Sequence, residues 1–148
     1  MNEFVFGKAS RDKLLTCDPA LRAVATRALE LSPLDFTIVW GWRDQSQQNR
    51  MVAEKKSKTP WPQSKHNTMA EGGPSSQAFD FAPMVGGQIP WLDVPLFCMV
   101  AGVIFAAAKE RNVKLRWGGD WNQNWLTSDQ TFMDWGHIEL ASGQTSQG

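Results

Sequence analysis

The chain has two histidines, His66 and His137, and each lies among acidic residues and turn-forming sequence. His66 stands near the start of SKHNTMAEGGPSSQAFDFAP, which ends in an apolar run carrying Asp80. Asp134 precedes His137 by three positions, and Glu139 follows it by two. On an extended AFDFAP, Phe79 and Phe81 face one way and Asp80 the other. A carboxylate on an otherwise apolar strand needs a partner, because a lone buried charge is costly. In GHIEL the same alternation puts His137 and Glu139 on one face, with Ile138 and Leu140 toward the core. Two imidazoles and one carboxylate form a three-ligand catalytic zinc set that leaves a fourth position for water. A second carboxylate, Asp134 or Glu139, could take that water's proton and pass it to a leaving amine. Spacing alone leaves a second reading open, in which the histidines are unrelated surface or core residues. No H-E-x-x-H motif is present to decide between them.

The elements that must position these residues can be read in outline. CDPALRAVATRALELSP has Asp18 as a cap, Pro19 at the first helical position and Leu21, Val24, Ala25 and Ala28 on one face. DFTIVWGWR alternates as a half-buried strand ended by Gly41. Asp44 can cap a helix over QSQQNRMVAEKK, and KSKTPWPQSKHN, with two prolines, reads as irregular. AFDFAP is a strand stopped by Pro83, MVGGQIPW carries a hairpin signal, and Asp93 can cap a long helix through Arg111. VKLRW is a further strand, WGGDW a turn, SDQTFMDW a short helix and GHIEL the last strand. Asp120 in that turn reads as a turn stabiliser. Helices that do not strictly alternate with strands predict an α+β fold, a small, mostly antiparallel sheet packed with about three helices. At 148 residues one domain is expected, with a polar tail from about 141.

Composition narrows the function classes. Lysines and arginines balance the acidic residues, which argues against a nucleic-acid binder that relies on general phosphate attraction. The longest apolar run, VPLFCMVAGVIFAAA, is shorter than the roughly 20 residues a spanning helix needs, so a buried core helix is expected. Cys98 lies in that run as a buried thiol, and with Cys17 it gives no disulfide framework. The N-terminal stretch lacks the apolar core of a signal peptide, so folding in a reducing cytoplasm is expected. Eight tryptophans without a tyrosine suit two uses, core packing or a groove for a sugar or peptide. For Trp117, Trp121, Trp125 and Trp135, packing around the site is the simpler expectation.

SKH and AFD, followed far downstream by DWGHIEL, resemble the signature of the D-Ala-D-Ala carboxypeptidase and L-alanyl-D-glutamate peptidase family. GWRDQSQQN resembles that family's G-x-R segment, and RWGGDW the tryptophan-rich turn of its phage endolysin branch. The blocks keep their order over about residues 5 to 141. The resemblance implies a hedgehog-like fold with the zinc site on the sheet face and His66, Asp80 and His137 as the zinc ligands. It implies Asp134 as the catalytic carboxylate and Arg43 as the residue that polarises the scissile carbonyl or holds the substrate. Ser64 and Gln48 match positions near the substrate, and Glu139 is expected to orient a ligand histidine. The stretch between His66 and Asp80 is longer than usual in the family, and its surplus around AEGG is expected to reshape access.

The same resemblance implies a monomeric phage or prophage lysis enzyme that cuts a stem peptide of peptidoglycan, first choice the L-alanyl-D-glutamate bond. It would be made in the host cytoplasm, reach the wall with a holin-type partner and have no stable membrane insertion. A D-Ala-D-Ala carboxypeptidase, a non-catalytic zinc module that binds a wall peptide, and a glycan-cleaving lysin with paired carboxylates are the alternatives.

Overall fold

The computed structural model describes residues 3–142. Four α-helices, one 3-10 turn and six strands follow one another along them. They are α1 (Lys8–Leu14), α2 (Pro19–Leu31), β1 (Phe36–Trp40), α3 (Gln45–Ala53), the 3-10 turn Lys65–Asn67, β2 (Met69–Ala70), β3 (Gly73–Pro74), β4 (Ala78–Pro83), α4 (Val94–Glu110), β5 (Leu115–Trp117) and β6 (His137–Leu140). The main sheet runs β1-β4-β6-β5, every neighbouring pair antiparallel. This is the expected α+β architecture.

One face of the sheet makes the core. Phe36, Ile38, Phe79, Phe81, Ile138 and Leu140 are almost wholly buried there. Against them pack Leu21, Val24, Ala25 and Ala28 of α2 and Val100, Ala101, Ile104 and Ala107 of α4. The small residues on both helices let them approach each other closely. Alternation sends the intervening side chains to the opposite face. There the register sets Asp80 opposite His137 and Arg116 opposite Glu139. Directly opposed residues bring their side chains within about 5 Å, so strand pairing alone gathers half of the site.

Several local expectations are corrected. Helix α1 was not expected from sequence; it docks on β1, where the Ser10 hydroxyl bonds Thr37 Oγ1 at 2.7 Å and accepts from Ile38 N. Helix α3 stops at Ala53 rather than Lys56, because Lys55 takes a left-handed φ of 62°. SDQTFMDW forms no helix. Gln130 instead accepts from Trp121 N at 2.7 Å, and Asn122 and Asn124 donate to Asp129, so side chains tie this stretch down as a loop. MVGGQIPW turns at Gly86 and Gly87, both with positive φ, but only Val85 and Gln88 pair before Pro90 ends the ladder. Cys98 is half-buried rather than buried.

Candidate metal centre and active site

His66 is carried by the 3-10 turn. Ser64 caps it, its hydroxyl accepting from His66 N at 3.1 Å, and Asn67 closes a reciprocal box by accepting from Ser64 N. Asp80 sits mid-strand on β4 and His137 opens β6. His66 Nε2, His137 Nδ1 and Asp80 Oδ1 lie 3.1 to 3.3 Å from one another. Bonds of about 2.0–2.1 Å to a tetrahedral zinc separate its ligand atoms by roughly 3.3 Å. The three-residue cluster therefore already has the spacing of one face of such a site.

The outer ring nitrogens explain why those atoms converge. His66 Nδ1 lies 2.8 Å from Gly41 O, a carbonyl that can only accept, so Nδ1 carries the proton. His137 Nε2 donates to Glu139 Oε1 at 2.9 Å. In the neutral tautomers this leaves lone pairs on His66 Nε2 and His137 Nδ1, both facing a carboxylate oxygen. Three acceptors in mutual contact require a shared cation. His, His and Asp suit zinc by donor type, and a carbonyl and a carboxylate behind the imidazoles are the outer partners such ligands use.

Without a metal, a proton takes the cation's place. Burial disfavours charged His137, but hydrogen bonds to Asp80 and Glu139 outweigh it and raise its pKa to about 9. His66 moves the other way, burial exceeding the pull of Asp80. Burial pushes Asp80 up, yet the two histidines hold it well below the usual carboxylate range.

Glu139 is clamped from behind. Lys65 Nζ reaches Glu139 Oε2 at 3.2 Å and Arg116 reaches it at 2.9 Å. Burial pushes Glu139 up, but His137 and these cations bring it down to about 2. Asp134 differs: burial, then the nearby Asp80 charge, raises it to about 6. Its backbone is seated against Gly118, donating to Gly118 O at 3.0 Å and accepting from His137 N at 3.1 Å. A Cβ on Gly118 would overlap Asp134 O, so only glycine permits this approach.

Arg43 is buried, with its guanidinium 2.6 Å from Asp80 Oδ2 and 5.0 Å from the centre of the Trp40 ring. Gln48 is fully buried behind it. Gln48 Oε1 accepts from Arg43 and from Asn67 Nδ2, and its Nε2 donates to Ser57 Oγ at 3.1 Å and Thr59 O at 2.7 Å. Every polar position of this amide is occupied within the protein. Sequence reasoning singled out neither Asn67, Lys65 nor Arg116; the Lys65 and Arg116 contacts depend on a fold-back and a strand register that spacing does not encode.

Two lobes of one cleft meet at the site. A larger cavity of about 800 Å³ reaches Asp80 and has Trp40, Phe81, Trp91, Phe97 and Trp135 in its walls. A smaller one of about 360 Å³ holds His66, His137, Ser64 and Glu139. Arg43, Lys56, Phe132 and Asp134 border both. Among the tryptophans only Trp117 is buried in the core; Trp40, Trp91, Trp121 and Trp135 line the cleft, and the Trp121 ring lies 5.3 Å from His137. Asp120 accepts from the backbone of Asn124 and Trp125, holding the turn. The surplus between His66 and Asp80 folds as the β2–β3 hairpin and borders neither lobe, contrary to the expectation that it reshapes access.

Comparison with known proteins agrees with this geometry. The profile of the phage L-alanyl-D-glutamate peptidase family matches residues 2–141. The L-alanyl-D-glutamate peptidase of Escherichia phage T5 is 43% identical over 141 residues, covering 93% of this chain and 98% of its own. The crystal structure of Serratia marcescens L-Ala D-Glu endopeptidase ChiX superposes with a TM-score of 0.73 at 26% identity, over 94% of this chain and 91% of that one. By the span of the family match and by these two likenesses, the chain belongs to the phage L-alanyl-D-glutamate peptidase family.

Proposed function

We propose that this protein is a zinc-dependent peptidoglycan peptidase that hydrolyses the L-alanyl-D-glutamate bond of the stem peptide, acting as a single-domain, monomeric phage endolysin. The observation that carries the reading is the set of three acceptor atoms, on His66, Asp80 and His137, brought together at ligand spacing on the floor of a cleft. Family membership supplies the bond.

His66, Asp80 and His137 hold the metal. Bound zinc supplies Lewis acidity, acidifying water and polarising a carbonyl oxygen. Asp134 is the general base and then the general acid for the departing amine. In the metal-free protein burial, then the Asp80 charge, raise its pKa to about 6, the direction that suits a carboxylate that must take a proton and give it back. Glu139 is a poor proton carrier because its hydrogen bond to His137, then Lys65 and Arg116, keep it ionised; it fixes the tautomer of His137. Arg43 orients Asp80 and offers positive charge to the carbonyl oxygen as it becomes anionic. Ser64 sets the turn that carries His66 and borders the smaller lobe. Gln48 ties Arg43 to the cleft wall and does not contact substrate.

Among the described residues no helix is long and apolar enough to cross a membrane. By its family resemblance, passage from the host cytoplasm to the wall falls to a separate holin-type partner. The test is digestion of purified peptidoglycan by the zinc-loaded protein, with mass spectrometry of the fragments. New amino-terminal glutamate is expected and should vanish with a chelator. New reducing ends, new amino termini elsewhere, or zinc binding without release of peptides would each refute the reading in favour of a glycanase, another peptidase specificity or a binding module.

A further inference from the structure

The two lobes of the cleft differ in charge, and one cation in the smaller lobe lacks a carboxylate partner. Arg43 pairs with Asp80, Lys65 and Arg116 share Glu139, and Lys56 meets Glu54 at 3.2 Å. Lys58 forms no ion pair with a carboxylate among the described residues. Its ammonium lies 4.6 Å from the centre of the Phe132 ring, and Phe132 borders both lobes. The backbone on either side of Lys58 is fixed. Buried Gln48 holds Ser57 and Thr59, and Thr59 N donates to Ser57 Oγ at 3.2 Å. The same amide grips Arg43 and, through Asn67, the turn carrying His66. Lys58 is thus held in register with the metal ligands by a buried crosslink, although its own side chain is exposed.

Resting on the bond assignment above, we infer that Lys58 is the specificity residue for the free carboxylate of the glutamyl residue whose nitrogen departs, with Arg116, which borders the same lobe, contributing positive charge. A glutamyl residue that continues its chain through one carboxyl group leaves the other free, close to the scissile nitrogen. The alanyl residue has only a methyl side chain, which the aromatic walls of the larger lobe fit. Substrate therefore lies across the site with its glutamyl portion in the smaller lobe. Phe132 holds the ammonium at the wall before substrate arrives, which lessens the ordering needed on binding.

The test uses two zinc-dependent hydrolysis substrates that differ in one group, an alanyl-glutamyl stem peptide with its non-chain carboxylate free or converted to the carboxamide. Wild type should prefer the carboxylate by about five- to tenfold in kcat/KM, mainly through KM. Lys58→Gln should erase that preference by slowing the carboxylate substrate alone, with zinc content unchanged, and Lys58→Arg should retain it. Equal losses on both peptides, or a wild type that does not discriminate, would overturn the assignment. A wild type that cuts neither peptide while releasing other fragments from peptidoglycan would instead overturn the bond assignment itself.

Discussion

At the level of single residues, proton affinity separates groups of similar appearance. Asp134 and Glu139 flank the same histidine, but burial raises one to about 6, whereas the hydrogen bond to His137, then Lys65 and Arg116, lower the other to about 2. Asp134→Ala should bind zinc with wild-type stoichiometry and lose at least about a hundredfold in kcat, the scale of general acid–base catalysis. Retained turnover would move the base elsewhere. Glu139→Gln should weaken zinc binding by about 10–100-fold, as loss of a carboxylate behind a ligand histidine does, with kcat largely restored at saturating zinc. Competition with a chromophoric chelator reads this directly, and unchanged affinity would remove Glu139 from its orienting role. His66→Ala should lose both zinc and lysis while circular dichroism stays native, because most of the core lies on the other face of the sheet. Asp80 stood out in sequence as a charge on an apolar strand, but spacing left the two histidines open to another reading, and the family resemblance is what joined the three as candidate ligands. Lys58, Lys65 and Arg116 did not stand out: a lysine or arginine in a polar stretch is the commonest kind of surface residue, and only tertiary contact gives these a carboxylate or a ring to meet.

Among the elements, those with a strong pattern were legible and those held by side-chain bonds were not. α2, β4, α4 and β6 follow from caps, prolines and alternation. The stretch 128–135 has helix-compatible composition, but Gln130 bonds Trp121 N and Gly118 O while Asn122 and Asn124 donate to Asp129, tying it to the preceding turn. Helix α1 is short, and its stability comes from docking on β1. The β2–β3 hairpin yields the clearest prediction at this level. Ser75 N donates to Thr68 O at 3.1 Å, so those residues already form the ends of a turn. Replacing residues 69–74 by Asn-Gly should keep the 3-10 turn in place, since Thr68 also holds Lys65 O and Gln77 N through its hydroxyl. Shortening a loop changes closure entropy only slightly. Zinc content and kcat/KM on the stem peptide should stay within about twofold of wild type. A large change in KM would show that the hairpin touches substrate after all.

Across the whole molecule, the site works against the stability of the fold, and pH exposes the conflict. In metal-free protein Asp134 keeps its proton up to about pH 6, whereas the unfolded chain releases it near the ordinary carboxylate value of 3.8. The native state binds more protons in that interval, so stability falls as pH rises through it and stays low above. His137 acts in the same direction: its contribution is complete below 6.5 and is lost as pH rises through about 9. Glu139 acts oppositely, contributing above about 4.5 and losing that contribution as pH falls toward about 2. His66, held below its ordinary value by burial, opposes Asp134 below pH 6.5, so metal-free protein should weaken most clearly above pH 6.5, as His137 loses its proton toward about 9. Zinc replaces the proton on His137, so its stabilising effect should grow with pH. The rise in Tm on adding zinc should be larger at pH 8.5 than at pH 5.5. Asp134→Asn isolates one contribution. Without metal it should exceed wild type by about 1–2 kcal/mol at pH 8, a gain of about 3–6 °C in Tm, and the advantage should disappear by pH 4. It should also be inactive, because the carboxylate whose burial weakens the fold is the one proposed to move the proton. Denaturant melts of both proteins across this range decide the matter. An advantage for Asp134→Asn that does not change with pH would mean that the gain comes from packing, and that Asp134 is not held near pH 6 in the native protein.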